Sequence, residues 1–140
     1  MAEIPQSARE VLESDAIAHL VTLNSDGSPQ VTCVWVGLDG DEIVCGHVPH
    51  HRKLKNIERD PRVALSLEAP GKSDLGLKHY LVIYGTARVT AGGAPELLQE
   101  LAHTYMGPGV DFPPMPNPPP GYIAHIKIDR IAGAGPWAEH

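Results

Sequence analysis

A chain of 140 residues and 15.0 kDa has the size of one domain, 1–140, and can bury a core without disulfides or a structural metal. With 42% hydrophobic and 20% charged residues it is not a disordered chain, and no apolar run approaches the ~20 residues of a membrane helix. The net charge of -6 argues against nucleic acid as a partner, and MAEIPQSARE has no basic stretch leading into an apolar one, so no secretory signal is visible and a cytoplasmic protein is expected.

Ser7-Ala8-Arg9-Glu10 fits a capping box, with Ser7 as N-cap and Glu10 at N3, and predicts a short helix to about Ser14. His19–Leu23 reads as a strand, Asn24-Ser25-Asp26-Gly27 as a turn, and Gln30–Val36, rich in β-branched residues, as a second strand. Gly37–Gly40 turns the chain and Glu42–Gly46 returns it. With an even loop there, Cys33 and Cys45 would point to opposite faces of one hairpin, and both read as reduced, packed thiols. His51–Arg59 predicts a short helix with Leu54 and Ile57 on one face, stopped by Pro61. Arg62–Glu68 is a strand, Ala69–Lys78 a polar loop, and His79–Thr90 a long strand with a bend or bulge at Gly85. Pro95 suits the first turn of a helix to Tyr105, striped by Leu97, Leu98, Leu101 and Tyr105 and ended by Gly107-Pro108. Pro108–Pro120 holds seven of the fourteen prolines, too many for helix, sheet or a flexible linker. Tyr122–Ile131 is the last strand. The expectation is a mainly β fold of six strands with three short helices, antiparallel through tight turns, closed or partly closed as a barrel.

The chemistry concentrates after the Glu42–Gly46 strand. His50–Arg62 holds five of the eleven basic side chains against two acids, a local reversal of the overall sign. Arg52 and Lys53 fall in the first turn of a helix, where the backbone already presents partial positive charge and free N–H groups. An anion, most simply a phosphate, offsets that arrangement. The plain alternative is a solvated basic face. His47-Val48-Pro49-His50-His51 invites a metal reading, but no Cys or acid lies beside it to complete a ligand set; no metal is assigned, and a polar lining for an anion or a cofactor ring suits the histidines better. Trp35 alternates with Val31 and Cys33 and reads as core or interface packing. Trp137, beyond the last strand, should dock on this subunit or on a partner. No Walker pattern, nucleotide-binding glycine loop, HExxH or nucleophile elbow is present.

Taken in order, these segments resemble a known family. Gly27-Ser28-Pro29-Gln30-Val31-Thr32-Cys33-Val34-Trp35-Val36 is similar to the second strand of the split β-barrel flavin and deazaflavin oxidoreductases related to pyridoxamine 5'-phosphate oxidase. Arg52-Lys53-Leu54-Lys55-Asn56-Ile57-Glu58-Arg59-Asp60-Pro61-Arg62-Val63 resembles that family's phosphate-binding helix and the Asp-Pro-Arg step into the next strand. Tyr80–Val89 and the Gly135-Pro136-Trp137 tail also match, and the short length and tail look most like the actinobacterial branch that uses the 8-hydroxy-5-deazaflavin coenzyme F420. The resemblance implies a six-stranded split barrel of the FMN-binding type, a homodimer, and a cofactor groove between barrels. It implies that Arg52 and Lys53 hold the cofactor phosphate, with Asn56 on the same helix a further cofactor-binding residue. Gln30, Thr32 and Val34, together with His47, Val48 and His51, would line the ring and its side chain, and Trp137 would close the groove. Many relatives have proline where Cys33 stands, and small polar residues where the three histidines stand.

The implied activity is an F420-dependent reductase, passing hydride to an unsaturated or quinone-like small molecule. FMN is the alternative cofactor, and a non-catalytic cofactor-binding dimer the alternative of another class. The sequence singles out no catalytic residue; His47, His51 or water could supply a proton.

Overall fold

The computed structural model describes residues 3–138. The elements run α1 (Gln6–Leu12), β1 (Ala18–Leu23), β2 (Pro29–Val34), β3 (Gly37–Asp39), β4 (Glu42–His47), α2 (Arg52–Arg59), β5 (Arg62–Lys72), β6 (Lys78–Ala91), α3 (Ala94–Tyr105) and β7 (Tyr122–Ala134). All strands pair antiparallel in one sheet of order β2-β1-β5-β6-β7-β4-β3. The sheet has seven strands rather than the expected six, and no pairing among the described residues joins β2 to β3 to close it.

The additional strand is Gly37–Asp39, expected as a turn. Three residues of Gly-Leu-Asp carry neither alternation nor β-branching, so nothing local marks them as a strand. Their pairing with β4 changes the neighbourhood: β2 pairs with β1 and not with β4, and the predicted hairpin between the two cysteines does not form. Cys33 is exposed on β2, not packed, while Cys45 is buried on β4, where burial pushes its thiol up to about 12. The capping box is absent too. α1 starts two positions earlier, at Gln6 with Pro5 as N-cap and no side-chain cap, because Pro5 O already accepts from the Ala8 and Arg9 N–H groups.

The Asn24–Gly27 turn forms as expected, with Gly27 at φ 87 and the Asn24 N–H bonded to Ser28 O at 2.8 Å. Strands β5 and β6 extend beyond their predicted ends into one long hairpin, which turns only at 73–77. Gly85 sits at the register shift between β6 and β7, where a Cβ would stand 2.6 Å from Lys127 O; no larger residue fits that approach.

Alternation divides the sheet. Leu20, Leu65, Leu67, Leu81, Ile83, Ile126 and Ile128 point inward and are fully buried, together with Leu12 of α1 and Leu54 of α2. Burial of each such side chain stabilises the fold by about 1.5–3 kcal/mol. The outer face runs in cross-strand rows, Val31–Val21–Ala64–Tyr84–Arg130 and Cys33–His19–Ser66–Val82–Ala132. None of these ten residues is buried, and Val31 is 60% and Tyr84 41% exposed.

Candidate functional site

β4 ends at His47, and Val48–His51 leads directly into α2. Gly121, at φ 62, allows the start of β7 to lie against this corner: a Cβ there would stand 2.5 Å from His47 O. α2 begins at Arg52, with His51 as an N-cap that makes no side-chain cap and with no acid in the first turn. Arg52 and Lys53 therefore occupy its first two positions, as the sequence predicts.

The helix is held in one rotational setting by Asn56, which is 2% exposed. Its Nδ2 donates toward Thr22 Oγ1 at 3.1 Å, Asn24 Oδ1 at 3.0 Å and Gln30 Oε1 at 3.1 Å, so two protons serve three acceptors. Its Oδ1 accepts from Arg59, which also donates to Leu23 O at 2.6 Å. Leu54 and Ile57 are buried on the same helix, as expected. Two of the ten residues assigned to the cofactor, Asn56 and Gln30, thus bond to each other and tie α2 to the β1–β2 hairpin.

That setting sends the basic side chains two ways. Arg52, Lys55 and Arg59 line a groove of about 500 Å³ with Asn24, Ser25, Asp26, Ser28 and Asn56. Lys53 turns into a smaller cavity of about 200 Å³, lined also by Cys33, Val34, Trp35, Gly46, His47, Leu98 and Phe112. Among the described residues none of these four cations is ion-paired, whereas Arg9, Arg62 and Arg88 each meet a carboxylate within 3 Å. Half-burial pulls the Lys53 ammonium below its ordinary value.

His47 is 6% exposed, and its Nε2 has no hydrogen-bond partner. Burial first, then the positive charge of Lys53 and the proximity of His51, pull its imidazole down to about 3, so it stands neutral. Thr32 Oγ1 on β2 is likewise buried without a partner. His51 is exposed at the N-cap and Val48 half-buried. His50 is spoken for: its Nε2 meets Glu58 Oε1 at 3.0 Å and its ring stands edge-on to Tyr122. No group of three or more His, Cys, Asp or Glu among the described residues is placed to hold a metal ion.

The structure therefore gathers Val34, His47 and Lys53 at one cavity, and Arg52 and Asn56 at a separate groove. It does not bring Trp137 to them within the protomer. Trp137 is 6% exposed, packed in the core, with His79 edge-on at 6.1 Å, and it lines clefts beside Ile4, Arg130 and Gly133 and beside Val11 and Pro70. The tail docks on its own subunit, one of the two outcomes expected of it. Sequence reasoning missed Leu98 and Phe112 as cavity residues and read Trp35 as packing alone. Phe112 is the chain's single phenylalanine, set in its most proline-rich segment, and that conjunction was the available signal.

Comparison with known proteins follows the same lines. The family profile described as pyridoxamine 5'-phosphate oxidase matches residues 4–133. Among solved structures, one named as an F420 reductase superposes with a TM-score of 0.73 at 24% identity, covering 92% of this chain and 98% of that one. A conserved hypothetical protein from Mycobacterium tuberculosis gives 0.70 at 25% identity over 95% and 84%. An FMN-binding protein from Syntrophomonas wolfei subsp. wolfei gives 0.67 at 15% over 93% and 85%. No curated protein matches the chain.

Proposed function

Because the chain belongs to the pyridoxamine 5'-phosphate oxidase family, we propose that it is a cytoplasmic, homodimeric oxidoreductase that binds the deazaflavin F420 and reduces an unsaturated or quinone-like small molecule. The observation that carries this reading is the row of unpaired cations on α2, with Lys53 half-buried beside a neutral His47 whose Nε2 lacks a partner. Such a site is short of one anion and of one hydrogen-bonding group, and a phosphate attached to a polar heteroaromatic ring supplies both. The neighbour named as an F420 reductase, a likeness of fold, gives the choice of cofactor its direction.

In this reading the phosphate sits at the first turn of α2, reached by Arg52 from the groove side and by Lys53 from the cavity side, and assisted by the free N–H groups of that turn. Val34, Thr32 and His47 lie along the ring, and Val48 and His51 along its side chain. Gln30 and Asn56 act one step back, fixing the rotational setting of α2. When bound in reduced form, the deazaflavin supplies hydride; the protein orients it and excludes water. His47, held neutral, has no imidazolium proton to give near neutral pH, which leaves exposed His51 or water as the proton source.

The 200 Å³ cavity is smaller than the ~300–1,000 Å³ of typical small-molecule sites, so one protomer contributes only part of the pocket. The uncovered outer face of the sheet, with Val31, Tyr80 and Tyr84 exposed, is the surface on which a second copy would pack and complete it.

The deciding experiment titrates purified protein with F420 and with FMN, each followed by fluorescence, then assays menadione reduction with the reduced form of each. Tighter F420 binding with turnover supports the reading. Tighter FMN binding moves it to an FMN-dependent enzyme, the alternative to which the FMN-binding neighbour points. Binding without turnover of any acceptor leaves a carrier.

A further inference from the structure

A cleft of about 350 Å³ shares no residue with the cavity or the groove at α2. Three segments wall it: α1, the root of the β5–β6 arm and the tail that follows β7. Val11, Pro70, Pro136 and Trp137 give it apolar surface. Its volume falls within the ~300–1,000 Å³ of small-molecule sites. The Trp137 ring is fixed in place. A Cβ at Gly135 would overlap the indole, the Ala138 N–H donates to Gly135 O at 3.0 Å, and His79 stands edge-on at 6.1 Å.

Three polar groups of these walls are unsatisfied. Trp137 is 6% exposed, and its Nε1, which can only donate, has no acceptor. A buried tryptophan N–H normally has one. Glu10 on α1 and Lys72 on the arm line the same cleft with opposite charge, yet they do not meet, and neither is ion-paired among the described residues. Arg9, beside Glu10 in the chain, does find a carboxylate, Asp41 at 2.9 Å. Water satisfies exposed charges such as these two, but it does not reach the buried indole N–H, so the cleft is short of an acceptor as well as of counter-ions.

We propose that this cleft is a second small-molecule site, for a zwitterion with a large apolar body: an α-amino acid with a ring-bearing side chain. Its carboxylate answers Lys72 and the Trp137 N–H, its ammonium answers Glu10, and its ring lies against Trp137 and the apolar wall of Val11, Pro70 and Pro136. With one acid and one base facing it, the cleft favours a ligand carrying both charges over a ligand carrying either alone. The inference goes beyond the oxidoreductase reading and does not depend on it.

The test needs neither cofactor nor turnover, so its outcome is separate from that of the proposed function. In a Trp35→Phe background Trp137 is the only tryptophan, and its emission reports the cleft. L-phenylalanine shifts that emission saturably, with a Kd below about 1 mM. Phenylpropionate, which lacks the ammonium, and phenethylamine, which lacks the carboxylate, bind about tenfold or more weaker, the loss of one charge-assisted contact. Glu10→Gln brings L-phenylalanine down to the level of phenylpropionate and leaves phenylpropionate no weaker; Lys72→Met brings it down to the level of phenethylamine. Both side chains are exposed and unpaired, so the variants keep the parent's urea midpoint. No saturable change up to about 1 mM, equal affinity for the three probes, or an L-phenylalanine Kd unchanged in both variants overturns the site.

Discussion

Lys53 and His47 meet at one cavity and resist charging for a common reason, the loss of water around them. Lys53 lacks a counter-ion among the described residues, so Lys53→Ala weakens cofactor binding about tenfold or more, since a charge-assisted phosphate contact contributes roughly 1.5–3 kcal/mol. Stability without cofactor holds or rises slightly, because an unfavourable cation leaves a helix N-terminus. High salt weakens the parent's binding more than the variant's. Isothermal titration at two salt concentrations, beside urea unfolding, checks all three. His47 gives a separate signature. Its folded value near 3 lies below the 6.5 of an unfolded histidine, so below pH 6.5 the unfolded chain binds the extra proton. The stability from burying it neutral is full above pH 6.5 and drains as pH falls toward 3, at about 1.4 kcal/mol per pH unit. Unfolding series from pH 7.5 to 4.5 show that slope reduced in His47→Leu; equal slopes would mean that His47 is not held neutral. The placement of Lys53 in a helix's first turn was legible in the sequence. Its half-burial was not, because Cys33, Leu98 and Phe112, which surround it, come from three distant segments.

α2 shows how one buried amide governs an element. Asn56 satisfies Thr22, Asn24 and Gln30 together, and Thr22 is 1% exposed. Asn56→Ala strands those acceptors and costs about 2–3 kcal/mol, an unsatisfied buried group contributing roughly 1–3 kcal/mol. Cofactor binding weakens as well, because α2 loses the setting that separates Lys53 from Arg52, Lys55 and Arg59. Urea midpoints and a cofactor titration on the same samples report both effects; a lower midpoint with unchanged affinity would confine Asn56 to stability. Long elements with a clear period were readable from the sequence: the Leu54/Ile57 face of α2, the bulge at Gly85 and the proline-started α3 stand where patterning puts them. Short elements governed by distant partners were not. β3 exists because β4 pairs with it, and α1 is capped at Pro5 because a backbone carbonyl does what the Ser7 side chain was expected to do. The ends of β5 and β6 were missed because a projecting hairpin arm can be polar on both faces.

At the scale of the whole molecule, the uncovered sheet face predicts the assembly. Light scattering at micromolar concentration should give the mass of a dimer, with an interface on the order of 2,000 Å². Val82→Glu, near the middle of the outer face, should yield folded monomers that bind cofactor poorly; a dimeric Val82→Glu protein with parent affinity would move the interface elsewhere. The order of the sheet also bears on how the site comes into being. β4 pairs with β7, so Glu42 lies opposite Lys127 and His47 opposite Tyr122. The α2 corner is thus made by residues 42–59, yet the strand against which it leans is not synthesised until residues 122–134. Contacts so distant along the chain are costly to close and form late. A nascent chain arrested before residue 122 can pair β1 with β2 and β5 with β6, but β4 and His47 at its end have no β7 to pair with. Cofactor capture would therefore wait for β7, and chains that lack it would stay empty.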